Sequence, residues 1–374
     1  MNHQDEQKTM DGQAHRTERL ALIFGGRSTE HEVSLLSAHT MGAALEAAGF
    51  EVAYVGITRE GAFVPVPEGL KALREGDWAK QNAAISSPTG QLRDWFFTLT
   101  AGPVACVVNA GHGNDMEDGN LQGLFRLCDL PFTGAGVLAS SMAMDKDITK
   151  RMARSAGVPV LTDIVVSRQE IAEDEKQLCE RLGKELSFPL FLKPANGGSS
   201  VGTKAVHTKE ELPAALREVA LYDEKILAEP FFAAREIEVA VLGNDQLLVA
   251  QPGEVVKRAD VEYYDYRTKY EDASSSWLEW PADIPEVLAE KIKGYAKTIY
   301  KTLGIEGYAR VDFFVKGEEI YLNEINSLPG FTEISLFPRA MGQEGLDLPS
   351  LMTRLVELAM QAYEKDRHER QKDR

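Results

Sequence analysis

Leu20-Ala-Leu-Ile-Phe24 is an unbroken apolar run ended by Gly25-Gly26, and it reads as a buried strand running into a tight turn. Apolar or small residues then recur at helical spacing, at Leu36, Ser37, Met41, Ala44, Leu45 and Ala48, until Gly49 supplies a stop. Phe50, Val52, Tyr54 and Ile57 alternate as a second strand. Together they make a β-α-β unit, which commits the start of the chain to an α/β domain. A further apolar run, Val104 to Val108, leads into a Gly-, Asn- and Asp-rich loop from Gly111 to Asn120, and the domain is expected to close near Ser141.

A helix from about Met144 to Ala156 opens a second region, followed by Phe188-Pro-Leu-Phe-Leu-Lys-Pro194, the loop Ala195–Gly202 and a strand through Val206. A third region starts at Ile226-Leu-Ala-Glu-Pro-Phe-Phe232 and alternates strands with loops to Asn326, before a closing helix from about Pro349 to Tyr363. With 374 residues, two or three domains are expected. The division read here is a tail over 1–18, an N-terminal domain over 19–141, a central one over 142–226, a C-terminal one over 227–363 with a lid loop at 257–280, and a charged tail over 364–374. No internal repeat or low-complexity segment interrupts this plan.

Lys plus Arg total 41 against 58 Asp plus Glu, a net charge of −17 that disfavours nucleic acid and anionic membranes as partners, and no long basic run offsets it. An anionic ligand must then be held by a few placed lysines, arginines, backbone N–H groups and metal ions. No apolar run is long enough to span a bilayer, and residues 1–19 lack an apolar core of the secretory kind, so a cytoplasmic protein is expected. Cys106, Cys128 and Cys179 are widely spaced with no CxxC, which argues against disulfides or a zinc cluster.

Four segments have the composition of a site. Gly25-Gly-Arg-Ser-Thr-Glu-His-Glu-Val33 sits where dinucleotide folds place a phosphate loop, yet it lacks GxGxxG. Glu30 and Glu32 would oppose a phosphate and welcome an ammonium; Thr29 with Glu32 also matches a capping box, leaving Glu30 free to bind. In Lys193-Pro-Ala-Asn-Gly-Gly-Ser-Ser-Val-Gly202, glycines let backbone N–H groups approach phosphate oxygens, and burying Lys193 calls for an anionic partner. In the strands Ala309–Val315 and Ile320–Asn326, a three- or five-residue loop pairs Asp312 with Glu324 and Arg310 with Asn326. Two carboxylates and an amide oxygen on one face suit Mg²⁺ held with nucleotide phosphates. Tyr263-Tyr-Asp-Tyr-Arg-Thr-Lys-Tyr270, followed by Glu-Asp-Ala-Ser-Ser-Ser276, reads as a long surface loop or lid.

From Leu20 to about Ala362 the sequence resembles the D-alanine–D-alanine ligases of the ATP-grasp superfamily. The resemblance rests on GGRSTEHEVSLLSA, HGNDMEDGNLQG, SSMAMDK, FPLFLKPANGGSSVG, YYDYRTKY, RVDFF and NEINSLPGFTEIS, in that order. It implies an ATP-grasp fold of α/β and α+β domains, in which a parallel N-terminal domain is followed by two α+β domains that clasp ATP. It further implies that ATP phosphorylates the carboxylate of one D-alanine and that the amine of a second attacks the acyl phosphate. By motif, Lys146 and Lys193 would contact the phosphates. The N–H groups of Ser199, Ser200 and Val201 would cradle the phosphoryl group, and Lys269 would reach the γ-phosphate. Glu229, Phe231, Phe232 and Glu236 would form the adenine and ribose hinge, with Tyr263 also among the nucleotide contacts. Asp312, Glu324 and Asn326 would hold two Mg²⁺ (or Mn²⁺), and Arg310 would stabilise charge on the acyl oxygen. Glu30, linked to Ser199 and Tyr270, would take the first ammonium; His112 and Glu117 would line that pocket; Ser335 and Leu336 would receive the second carboxylate. A homodimer is also implied.

Two departures stand out. Met116 replaces a usual glycine before Glu117, and Ser327 replaces the commoner threonine. Same-fold alternatives are ligases that take D-serine or D-lactate second; a non-catalytic nucleotide-binding protein is a different class, disfavoured because every charged position the chemistry needs is present.

Overall fold

The computed structural model describes residues 18–76, 78, 91–257, 276–332 and 335–372. The opening apolar run becomes β1 (Arg19–Gly25), followed by α1 (His31–Ala47), β2 (Glu51–Ile57), β3 (Phe63–Pro65), α2 (Leu70–Glu75), α3 (Leu92–Leu99), β4 (Cys106–Asn109) and α4 (Asn120–Leu127). β1 pairs in parallel with β2 and β4, and β3 closes one edge antiparallel, in the order β3-β2-β1-β4. The period of two explains why β1 is apolar throughout. Leu20, Leu22 and Phe24 pack on one side with Met41 and Leu45 of α1. Ala21 and Ile23 pack on the other with Phe96 of α3 and Phe125 of α4.

Next come α5 (Val137–Met144) and α6 (Lys146–Ser155), separated by Asp145, whose extended backbone breaks the helix and whose side chain accepts a 3.1 Å bond from the Ile148 N–H. The expected helix therefore starts at Lys146. The central sheet is antiparallel, in the order β5-β8-β6-β7, from β5 (Ile164–Ser167), β6 (Leu190–Pro194), β7 (Lys204–Val206) and β8 (Lys225–Pro230). α7 (Arg168–Glu185) and α8 (Leu212–Val219) cover it through Leu182 and Leu216.

The last sheet holds β9 (Arg235–Leu242), β10 (Leu248–Val249), β11 (Gly253–Lys257), β12 (Ser276–Glu279), β13 (Tyr308–Lys316) and β14 (Glu319–Asn326), in the order β12-β11-β9-β13-β14 with β10 beside β9. α9 (Glu286–Thr302) packs on it through Ile292, Ala296 and Ile299. α10 (Leu336–Gln343) and α11 (Leu348–Lys372) follow.

The expected divisions at 141/142 and 226/227 both fall inside an element. α5 crosses the first, and Ala139, Ala143 and Ala153 of α5 and α6 pack with Val239 and Val311 of the C-terminal sheet. β8 crosses the second and is bonded to β5 and β6 of the central sheet. The segment read as a charged tail from 364 continues α11 as far as Lys372, with Asp366 bonded to Arg126 at 2.6 Å. Leu351, Leu355 and Val356 return this helix to the core of the N-terminal domain. All three cysteines are free, with Cys106 and Cys128 buried.

Candidate active site

A cleft opens between the central and C-terminal sheets, with Glu30 of the N-terminal domain at its end. Its floor is the β13–β14 pair. Asp312 faces Glu324 and Arg310 faces Asn326, the register expected from sequence, but the route to it differs. Lys316 pairs with Glu319 across a two-residue turn, and a bulge after Asp312 restores the pairing by leaving Asn323 as the extra residue. The bulge has a use, since the Asn323 Oδ1 accepts from the Lys193 Nζ at 3.2 Å.

Arg310 donates to both oxygens of Asp312 at 2.8 and 2.7 Å, with its Nε 3.3 Å from Glu238. Burial alone would weaken the guanidinium charge, but Asp312 and Glu238 outweigh it and hold Arg310 protonated well beyond its ordinary range. Asn326 donates to Asp312 at 2.9 Å. Lys146, first residue of α6, donates to the Gly197 carbonyl at 2.5 Å and lies 3.4 Å from a Glu324 oxygen. Among the described lining residues, Glu30, Glu229, Glu236, Glu238, Asp312 and Glu324 face only Lys146, Lys193 and Arg310. A polyphosphate therefore enters this cleft only with added positive charge. The hard oxygen donors of Asp312, Glu324 and Asn326 fit divalent cations that would supply it.

Lys193 is buried, as its apolar flanks suggested, but its anionic partner is within the protein: Glu229 lies 2.9 Å away. The burial of Lys193 thus demands no ligand of its own. Burial would raise the Glu229 pKa, but Lys193 and Lys150 reverse this and hold the carboxylate at about 2. Lys150, Asp163, Glu238 and Asn323 escaped the sequence reading. The signal for Lys150 was its position four residues beyond Lys146, one turn further along the same helix face. Phe231, Phe232 and Glu236 line the cleft beside Glu229; Phe232 stands edge-on to Tyr321 with ring centres 5.3 Å apart.

The glycine loop meets the N-terminal domain at Glu30, whose Oε1 accepts from the Ser199 hydroxyl at 2.5 Å. Ser199 and Ser200 adopt left-handed backbone (φ 49° and 56°), turning the loop towards the cleft, where Val201 also lies. A Cβ on Gly198 would stand 2.4 Å from a Glu30 oxygen, so only glycine permits this approach.

The expected Thr29–Glu32 capping box is absent. α1 begins at His31, the N-cap Glu30 makes no side-chain cap, and the Ser28 hydroxyl receives the Glu30 N–H at 2.9 Å. Glu32 instead reaches Arg59 at 2.6 Å on the surface. Because that pair is solvated, Glu32→Ala should shift stability by less than about 0.5 kcal/mol in urea denaturation; a loss near 1 kcal/mol would restore the cap.

His112 and Glu117 are buried but do not line the cleft. The Ser37 hydroxyl accepts from the Phe331 N–H at 3.2 Å and lies 2.9 Å from the His112 Nε2, while the His112 Nδ1–H donates to the Leu328 carbonyl at 3.0 Å. His112 thereby ties α1 to the segment after β14. Glu117 accepts from the Gly113 N–H at 2.9 Å through Oε1, while Oε2 is buried without a partner. Burial and, second, the charge of Glu30 push its pKa up to about 8. The left-handed turn falls on Asp115 (φ 68°), so residue 116 needs no glycine, and the Met116 side chain fills the space that Gly26 and Gly111 leave open. Ser327, the other departure, is buried.

Ser335 and Leu336 start α10 away from the cleft lining. The Ser335 hydroxyl accepts from the Thr332 N–H at 3.1 Å, and Leu336 is buried against Gly253. Tyr263, Lys269 and Tyr270 lie outside the described residues.

Family models for the D-ala D-ala ligase N-terminus and C-terminus match residues 19–135 and 152–357, in chain order. The chain belongs to the D-alanine–D-alanine ligase family. A D-alanine–D-alanine ligase of Acetivibrio thermocellus is 38% identical over 368 residues, covering 92% of this chain and 96% of the relative. Among solved structures, the D-alanine-D-alanine ligase from Coxiella burnetii aligns at 31% identity with a TM-score of 0.79, covering 94% of this chain and 96% of its own. The VanG D-Ala:D-Ser ligase from Enterococcus faecalis aligns at 32% and 0.80, covering 92% and 100%. Two such relatives, alike in fold, carry different second substrates in their names.

Proposed function

We propose that this protein joins two D-alanines into D-alanyl-D-alanine with the cleavage of ATP, supplying a peptidoglycan precursor for the cell wall. The observation that carries the reading is the 2.5 Å contact of Ser199 with Glu30, which brings a carboxylate for an ammonium group, a glycine loop for phosphoryl oxygens and the buried Arg310 into one cleft. Glu30 holds the first D-alanine by its ammonium and so aims the carboxylate at the γ-phosphate, while the backbone N–H groups of Ser199, Ser200 and Val201 receive phosphoryl oxygens. Lys146 moves from Glu324 to the phosphates, and Lys193 reaches them from beside Glu229.

Transfer gives an acyl phosphate. Arg310 then steadies the negative charge that grows on the acyl oxygen as the second amine attacks, and phosphate leaves. Asp312, Glu324 and Asn326 would hold two Mg²⁺ or Mn²⁺, which offset charge on the transferring phosphoryl group. Phe231, Phe232 and Glu236 seat adenine and ribose with Glu229, and Tyr263 joins the nucleotide contacts. His112 and Glu117 shape the first amino-acid site from behind, and Ser335 with Leu336 receives the second carboxylate. Lys269 and Tyr270 complete the γ-phosphate and Glu30 contacts from the lid, which makes closure part of site assembly. A homodimer working in the cytoplasm, where ATP is supplied, completes this reading; no described helix is long and apolar enough to cross a membrane.

Purified protein with ATP and Mg²⁺ should release phosphate only when D-alanine is added, and form the dipeptide. Rapid release with L-alanine, or none with D-alanine, sinks the assignment. The likeness to the D-Ala:D-Ser ligase makes a second reading concrete, so D-alanine, D-serine and D-lactate should compete across several pH values, with D-alanyl-D-alanine as the dominant product.

A further inference from the structure

Lys146, Lys150 and Arg154 follow one another at intervals of four along α6, one turn apart on a single face. Lys146 reaches the Gly197 carbonyl and Glu324 in the cleft, whereas Lys150 lies behind the cleft wall with its side chain 1% exposed. The Lys150 ammonium donates to the Glu229 Oε1 and lies 3.2 Å from Asp163, which also takes Arg154. The other Glu229 oxygen takes Lys193 at 2.9 Å, and Lys193 continues to Asn323 at 3.2 Å. Glu229 and Lys193 line the cleft. A buried pair that only held the core together would have no need to present one member to a ligand cavity.

We propose that Lys150 is a positioning residue for nucleotide binding: backed by Asp163, it fixes one carboxylate oxygen of Glu229 so that Glu229 and Lys193 meet the nucleotide in a set geometry. This rests on the reading of Glu229 as a nucleotide contact. α6 then reaches both ends of the nucleotide site, directly at the phosphates through Lys146 and indirectly at the hinge through Lys150. Without Lys150, the cation that saturates Glu229 from behind is gone, and the carboxylate turns wholly to Lys193.

The test is steady-state kinetics of the whole enzyme with Lys150→Met, Lys150→Arg, Glu229→Gln and the double variant Lys150→Met/Glu229→Gln. Lys150→Met should raise the KM for ATP about tenfold or more, with kcat and the D-alanine KM within about threefold of wild type. Its ATP KM should also rise towards acid pH, an added limb the wild type lacks, because Glu229 keeps only one of the two ammonium groups that hold it ionised. Lys150→Arg should recover most of the loss. The double variant should match Glu229→Gln alone within about twofold, as expected if Lys150 acts only through Glu229. Should Lys150→Met not fold, that last comparison decides, since the double variant leaves no unpaired charge at Glu229. An unchanged ATP KM and flat pH profile in Lys150→Met, or a further rise on adding it to Glu229→Gln, overturns the proposal. So does an equal fall in all kinetic constants that Lys150→Arg leaves unrepaired. An unaltered ATP KM in Glu229→Gln alone overturns it differently, by removing Glu229 from the nucleotide site with Lys150 untouched.

Discussion

Glu324→Gln is expected to lower kcat by about 10³-fold or more while leaving the fold intact, an effect of the size seen when one charge-stabilising group is taken from a preorganised site. The glutamine keeps the shape and one oxygen of Glu324, and the side chain is 28% exposed at the cleft, so no buried charge is orphaned. Lys146 retains its bond to the Gly197 carbonyl. What disappears is one of the two carboxylates set opposite each other on β13 and β14. Asp312 and Asn326 alone, with Asp312 shared with Arg310, would hold a divalent ion poorly. The measurement is kcat against Mg²⁺ and Mn²⁺ concentration, with circular dichroism to verify the fold. The half-saturating metal concentration should rise along with the loss of kcat. Activity within tenfold of wild type at ordinary Mg²⁺ would remove Glu324 from the metal site.

Where local chemistry determined structure, the sequence was a good guide. The apolar run of β1, the helical spacing of α1 and the alternation of β2 led directly to the parallel sheet, because each pattern has one economical way to bury its side chains. The pairing of Asp312 with Glu324 was legible for a less secure reason. The loop is two residues long, a length that alone would have put Asn323 opposite Asp312, and the bulge corrects it. A bulge leaves no mark in residue periodicity, so the expected register was reached by a different path from the one the chain takes.

Contacts distant in sequence were the ones missed. That Lys193 needed an anion was sound physics, but whether the anion is a ligand or Glu229 depends on how β6 and β8 pair. The capping box at Thr29 failed similarly, since Glu32 finds Arg59 across the turn after β2 and Ser28 does the local bonding. The domain divisions misplaced α5 and β8 because hydrophobic pattern shows which face of an element is buried and is silent on which sheet buries it.

Glu117 ties the site to stability and gives a second large effect. Its carboxyl is held at about 8 against 4.5 for an unhindered glutamate, first by burial and then by the neighbouring charge of Glu30. The folded state therefore keeps a proton that the unfolded chain releases. Stability contributed by this group is complete below about pH 4, falls as pH rises through the interval from 4.5 to 8, and levels off above it. A shift in that direction corresponds to a loss on the order of a few kcal/mol across the interval. Glu117→Gln removes the titration and retains an oxygen for the Gly113 N–H, so it should be the more stable protein at pH 8 and lose that advantage at pH 5. Any cost of placing an amide nitrogen where Oε2 is buried does not change with pH, so it offsets the two curves without altering their difference in slope. Urea denaturation of both proteins at half-unit steps from pH 5 to 8.5 measures the effect, and parallel curves would show that Glu117 is ionised throughout. D-alanine adds a check on the site itself. An ammonium group held at Glu30 cancels part of the like charge facing Glu117, so saturating D-alanine should flatten the wild-type slope and leave that of Glu117→Gln unmoved.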